Sequence, residues 1–226
     1  MAREDYQKAL KKGERSYARY LSEGKYPYLQ VLEELLSHTD VVAEEDLGIC
    51  SIPSEMIVGT FTAGRRTAFA RTLCRCSMMN RSLQPSGRLF YNAHLEEGIH
   101  DPIKCYEFMN RYYVLEGNKR VSVLKFCGAP SVQGNVTRII PKRTDEPENR
   151  LYFEFLAFYK CSKVNYIVLS KLGSYRTLLE KLGFEVDYKW TDDDRMEVRS
   201  LYVRFEKVYK EKGGRTTADS DSRCLF

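Results

Sequence analysis

The stretch YYVLEGNKRVSVLKFCG, residues 112–128, limits the fold of this chain more than any other. Tyr112–Glu116 suit a strand and run straight into Gly117. The polar triplet Asn118, Lys119, Arg120 follows, then an apolar-periodic stretch that stops at Gly128. With Val121, Leu124 and either Phe126 or Cys127 turned to a core, the spacing predicts a helix opened by the triplet. Gly117 allows a sharp exit from the strand and leaves room for a ligand beside the backbone. A helix start carries partial positive charge, so Lys119 and Arg120 are poorly placed there unless something negative lies between them. The amides of residues 118–120 would point out of the helix end, as in phosphate sites. Lys119 and Arg120 would add charge-assisted hydrogen bonds, with Arg capable of a bidentate grip, and Ser122 one more from the first turn. The competing reading is a simple turn with two solvated cations.

Charge is segregated along the chain. The 226 residues carry 36 Lys and Arg against 31 Asp and Glu, a net +5. From Met56 to Leu95 there are six arginines (Arg65, Arg66, Arg71, Arg75, Arg81, Arg88) and no acid. From Arg111 to Arg143 seven basic residues face one acid, Glu116. Such segregation builds a local positive field suited to an anionic partner, with a solvated basic surface as the plain alternative.

No apolar run nears the ~18 residues a membrane span needs. The first seventeen residues are charged throughout, which argues against a secretory signal. Seven scattered cysteines suggest reduced thiols and a cytoplasmic setting. Residues 3–37 read as two helices broken at EGKYPY, and the acidic residues 44–46 as a linker. GICSIPSEMIVGT reads as a strand pair or a strand with an edge proline, and AGRRTAF as a turn with a helix start. Residues 77–88 read as a polar loop, and a short helix stopping at Gly98 precedes a strand after Asp101–Pro102. PSVQGNVTRIIP alternates as a half-buried strand does. KRTDEPENR is expected to be a loop, Leu151–Tyr159 a helix and VNYIVLS a buried strand. Another helix is expected with Ser174 as cap and Gly183 as stop. Thr191 is expected to cap a last helix with an apolar stripe of Val198, Leu201, Tyr202, Phe205 and Val208. The tail, residues 213–226, lacks periodicity and reads as disordered.

Residues 50–141 resemble the N-terminal domain of the ParB proteins, in the ParB–sulfiredoxin superfamily. The shared parts are a helix ending at Gly98, the strand DPIKCYEF, the hairpin into Gly117–Arg120 with its helix to Gly128, and the strand VQGNVTRIIP. SIPSEMIVG is similar to the family's first strand, and AGRRTAF sits at its first Arg-bearing box. The resemblance implies an α+β fold with a small mixed sheet over residues 47–141. A helical leader, residues 1–46, would precede it, and an αβ extension, residues 142–212, would pack on it. It also implies a site for a nucleoside triphosphate, CTP in the family, with Mg2+ as companion. Gly117, Asn118, Lys119 and Arg120 would hold phosphates, Arg65 and Arg66 would approach from the first box, and Gly98, Asp101 and Pro102 would border the base. The chain departs from sulfiredoxin, whose box holds a cysteine where Asn118 or Lys119 stands. It also lacks the histidine of serine-kinase relatives and a convincing helix-turn-helix after residue 142. It thus resembles stand-alone or sensor-fused ParB-like proteins rather than a partition protein.

Other constellations compete. Glu116 can serve as an acid–base group beside a phosphate or simply pair with Lys119 or Arg120. His94, Glu97, His100 and Asp101 fit no compact zinc spacing, and Cys74 and Cys76 lack the spacing of a metal pair. No metal site of the protein's own is therefore expected. The leading expectation is a nucleotide-binding regulatory module. The alternatives are a DNA-binding accessory protein using the basic face, and a weak nucleotide hydrolase or phosphotransferase using Glu116.

Overall fold

The computed structural model describes residues 2–68 and 101–213. The chain divides into two compact units, Met1–Lys142 and Arg143–Phe226. The first holds α1 (Ala2–Ser22), β1 (Gln30–Val31), α2 (Leu32–Leu36), β2 (Val41–Pro53) and β3 (Ile57–Thr60). It continues with β4 (Ile103–Phe108), β5 (Arg111–Glu116), α3 (Asn118–Phe126) and β6 (Ser131–Pro141). Single 3-10 turns lie at Ser54–Met56 and Ala63–Ala68. The six strands form one mixed sheet in the order β1-β3-β5-β4-β6-β2. β1, β3 and β5 are mutually parallel, β4 is antiparallel to β5 and parallel to β6, and β2 closes one side antiparallel to β6. This is an α+β fold with a mixed sheet.

Local chemistry explains the hairpin at its centre. β4 and β5 are joined by Met109 and Asn110 alone, with φ of 52° and 60°. Left-handed conformation at both central residues gives a turn whose twist matches the strands, and asparagine tolerates it. The Asn110 N–H donates to Glu107 Oε1 at 2.7 Å. Glu107 also pairs with Arg138 on β6, its register partner, and both side chains are only 1 % exposed. Leu32, Phe108, Tyr113 and Ile139 form a core cluster, packed by Leu35, Leu36, Val58, Phe61 and Tyr106.

Residues 44–46 lie inside β2 rather than in a linker. Glu44, Glu45 and Asp46 pair with Ile139, Arg138 and Thr137 of β6. An edge strand needs only one partner's backbone, so its own pattern is weak, and charges along it discourage pairing with other chains. Two register shifts, between Val41 and Ala43 and between Asp46 and Gly48, blur the alternation further.

The second unit contains α4 (Pro147–Ser162), α5 (Ser174–Leu182) and α6 (Asp192–Glu211). Pro147 opens α4 inside the segment read as a loop, as its fixed φ suits a first helical turn. Residues 164–170, read as a buried strand, form none. Val164 and Ile167 are buried, but the Tyr175 hydroxyl takes the place of a strand partner. It accepts from Leu169 N–H at 3.1 Å and donates to Ile167 O at 3.3 Å. Tyr175 packs in turn on Phe155 and Phe158, which meets Trp190 edge-on.

The cap of α5 is Gly173, not Ser174, while Gly183 ends the helix with φ 76°. Thr191 caps α6 as expected, its Oγ1 accepting from Asp194 N–H at 3.2 Å. The apolar stripe of α6 is mostly outside: Val198 is buried, but Leu201, Phe205 and Val208 are exposed. The polar stretch 77–88, Cys74 and Cys76, the helix ending at Gly98, and the tail beyond Gly213 lie outside the described residues.

Candidate phosphate site

One edge of the sheet gathers the segments that carry the chemistry. β3 and β5 run parallel, so the chain leaving each emerges on the same side. After β3 comes the turn Ala63–Ala68 with Arg65 and Arg66, and after β5 comes Gly117 with α3. β4 is antiparallel to β5, so Asp101 and Pro102 enter it from that edge too. The space beyond the carboxyl ends of parallel strands is the usual place for a ligand in an open α/β sheet.

Gly117 is the joint. Its φ is 107° and ψ 15°, a conformation that side chains rarely adopt. A Cβ there would lie 2.7 Å from Ile103 Cγ2 and 3.3 Å from Arg120 Nε. The glycine is therefore required both by the turn and by close packing on the first residue of β4. Val121 is the first residue of α3 to bond back within the helix, to Gly117 O at 3.0 Å. The amides before it stand at the positive end of a nine-residue helix with no acid in its first turn.

The side chains of this turn differ in their surroundings. Asn118 is buried, 7 % exposed, and its Nδ2 donates to Thr60 Oγ1 at 3.4 Å. Thr60 Oγ1 donates onward to Val114 O at 3.1 Å, and Phe61 N–H donates to the same carbonyl at 2.9 Å. These bonds tie the end of β3 to the end of β5. Arg120 Nη1 donates to Asp101 O at 2.9 Å and to Pro102 O at 3.1 Å. Arg120 therefore holds the entry to β4 against the start of α3, a structural task the sequence did not disclose. Lys119 and Ser122 are both half-buried.

Glu116 pairs with Lys104 at 2.9 Å, not with Lys119 or Arg120. The two are register partners on neighbouring strands, which decides the pairing. The hydrogen bond from Lys104, its charge, and the more distant Arg120 hold the exposed Glu116 carboxyl below its ordinary range. A carboxylate so stabilised is a weaker proton acceptor than an isolated one.

Arg66 forms an ion pair with Glu34 of α2, and its guanidinium lies 5.9 Å from the Tyr26 ring centroid. The hydrogen bond to Glu34 keeps it even more firmly protonated than usual. Its Nε is buried and meets no acceptor among the described residues. Gly98, His94, Glu97, His100, Arg71, Arg75, Arg81 and Arg88 lie outside the described residues. Among those described, no group of three or more His, Cys, Asp or Glu is placed to hold a metal ion. No described helix is long and apolar enough to cross a membrane.

Sequence reasoning missed three residues that tie these elements together. Thr60 links the two strand ends, Glu34 neutralises Arg66, and Lys125 donates from α3 to Ile57 O at 2.7 Å. Each acts over a sequence separation of 32 to 68 residues, with no local pattern to mark it.

Neither the protein-family models nor the curated proteins match the chain. Among solved structures, sulfiredoxin from Arabidopsis thaliana is similar at 19 % identity, over 39 % of this chain and 82 % of that one, with a TM-score of 0.28.

Proposed function

We propose that this chain is a nucleotide-binding regulatory module of the ParB–sulfiredoxin type, with triphosphate at the start of α3. The observation that carries this reading is the first turn of α3. A glycine with positive φ opens it on the edge where parallel strands end, and it contains Lys119 and Arg120 and no acid. Such a turn offers oriented amides, a helix dipole and two cations to an anion. The buried Arg66 Nε after β3 supplies a donor that lacks an acceptor among the described residues.

The base would lie on the Asp101–Pro102 side, whose carbonyls Arg120 already fixes. Glu116, committed to Lys104, is better suited to holding that strand end than to proton transfer. The reading is therefore a binding module rather than a hydrolase.

Calorimetric titration with CTP, ATP, GTP and UTP in magnesium, alongside inorganic tripolyphosphate, tests it. Lys119→Ala and Arg120→Ala are each expected to weaken binding by about tenfold or more, as loss of a hydrogen bond to a charged group does. Unchanged affinity in both variants would remove the assignment. Binding of duplex DNA that falls steeply with salt and ignores nucleotide would transfer the basic edge to a nucleic-acid role.

A further inference from the structure

The last helix runs on past what covers it. Its first half is held to its own unit. Arg195 Nη1 donates to Trp190 O at 2.7 Å, and Val198 is buried. The Arg199 guanidinium lies 4.3 Å from the Tyr166 ring centroid, and the Tyr202 ring packs on Tyr166 at 5.1 Å. From Leu201 onward the apolar side of the helix is uncovered. Leu201, Phe205 and Val208 follow Val198 at alternating spacings of three and four residues, which keeps them on one face. All three are exposed, Phe205 at 63 %, and the exposed Tyr209 stacks on Phe205 with ring centroids 5.6 Å apart. A contiguous apolar stripe of this kind marks a contact face, which singly scattered surface residues do not.

The spacing points to another helix as the occupant. Alternation of three and four is the seam of a two-helix pair, in which each apolar residue enters a gap of the facing helix. The charges beside the seam say which helix. Arg204 and Glu211 are seven residues, two turns, apart and so lie on one edge of it. Both are exposed, and neither forms an ion pair among the described residues; Arg204 Nε donates to Ser200 O, one turn back, at 3.3 Å. Two copies of one helix that meet face to face in opposite directions bring the same edge of each together. Centred between Glu206 and Lys207, such a pair sets Phe205 against Val208 of the second copy and Leu201 against the Lys212 stem. Arg204 then faces Glu211 at two symmetric points, and the two helix dipoles oppose each other. A parallel pair brings opposite edges together instead and faces Arg204 with Tyr209.

We infer that residues 201–212 are a homodimer contact, pairing antiparallel with the same residues of a second copy. The helical bonding runs to the end of this stretch, with Lys212 N–H donating to Val208 O at 3.1 Å. The anchored first halves lie at the two outer ends of the pair, so it forms without α6 leaving its own unit. No residue of the phosphate turn takes part. At 1.5 Å per residue the paired stretch is roughly 18 Å long, short of what a stable interface buries. The dimer is accordingly weak and reversible, half-formed at on the order of 100 micromolar chain.

Sedimentation equilibrium of the full chain in reducing buffer, from about 5 micromolar to about 1 millimolar, tests the contact. Wild type should pass from monomer to dimer across that range. Phe205→Glu, at a side chain already mostly in solvent, should remain monomeric with unchanged circular dichroism and Trp190 fluorescence. Arg204→Glu and Glu211→Arg should each weaken association by about tenfold, because each sets like charges opposite one another. The double variant exchanges the two charges and should restore the wild-type constant. A wild type that stays monomeric throughout would overturn the dimer and leave the stripe to a different protein or to another segment of this chain. Dimerisation indifferent to Phe205→Glu would overturn the contact face, and failure of the charge exchange to restore association would overturn the antiparallel pairing.

Discussion

Replacing Gly117 with alanine tests the joint on which the candidate site hangs. Two effects oppose the new methyl. Holding a non-glycine residue at a φ of 107° costs about 1–3 kcal/mol. Placing Cβ 2.7 Å from Ile103 Cγ2 and 3.1 Å from Ile103 Cβ forces the strand and the turn apart, an overpacking worth about 1–3 kcal/mol more. Gly128, at the other end of α3, isolates the first effect: its φ is 77° and nothing lies within 4 Å of a Cβ there. Gly128→Ala should therefore show backbone strain alone, about 1–2 kcal/mol. The stiffening of the unfolded chain is the same for both and cancels in the comparison. Gly117→Ala is expected to exceed Gly128→Ala by about 1–3 kcal/mol, a large share of the roughly 5–15 kcal/mol that holds a domain together. Urea unfolding followed by far-ultraviolet circular dichroism reads the difference. Trp190, the one tryptophan, lies in the second unit and reports on that unit instead. Equal destabilisation by the two substitutions would refute the packing of Gly117 on Ile103.

The buried pair of Glu107 and Arg138 makes a separate prediction. Arg138→Met alone should destabilise by about 3–5 kcal/mol by stranding a buried carboxylate, whereas Glu107→Leu with Arg138→Met should recover most of that loss. A single-substitution loss below about 1 kcal/mol in urea unfolding would show that the pair is not enclosed as described. At the start of α6, Asp194 accepts from Thr191 N–H and Thr191 Oγ1, both at 2.7 Å, and these bonds hold its pKa below the ordinary value. A depressed carboxylate stabilises above its unfolded pKa, and the contribution disappears as pH falls through the folded pKa. The last helix should therefore fray below about pH 4. Asp194→Asn should show the weaker cap already at neutral pH and lose that acid-dependent step in a helicity titration. An identical titration in both chains would remove the cap from the account.

Much of the sheet was legible because its signals are local. The Asp-Pro entry to β4, the glycine after β5 and the alternation of β6 each need only neighbours in sequence to be read. The first half of β2 was illegible for the opposite reason: Glu44, Glu45 and Asp46 become a strand only because β6 lies alongside. Residues 164–170 have every local mark of a strand, but Tyr175 satisfies their backbone and no strand pairs with them. In the candidate site, the turn itself was legible and its wiring was not. The sequence shows Glu116 close to Lys119 and Arg120, yet the pleat hands it to Lys104 across the hairpin. It marks Arg120 as a candidate phosphate ligand but not as the tie to Asp101 and Pro102.

The hairpin of β4 and β5 has a bearing on how such a site is built and passed on. Asp101, Ile103, Gly117 and Arg120 meet within twenty consecutive residues, joined by a two-residue turn. Contacts this short in sequence form with little loop-closure entropy, so the joint can take shape early, before the distant strands arrive. Insertions elsewhere lengthen the chain without altering the separation of Arg120 from the carbonyls it grips. The mouth of the sheet is in this sense portable: a leader, an edge strand or a helical unit can be exchanged around it while the hairpin keeps its own measure.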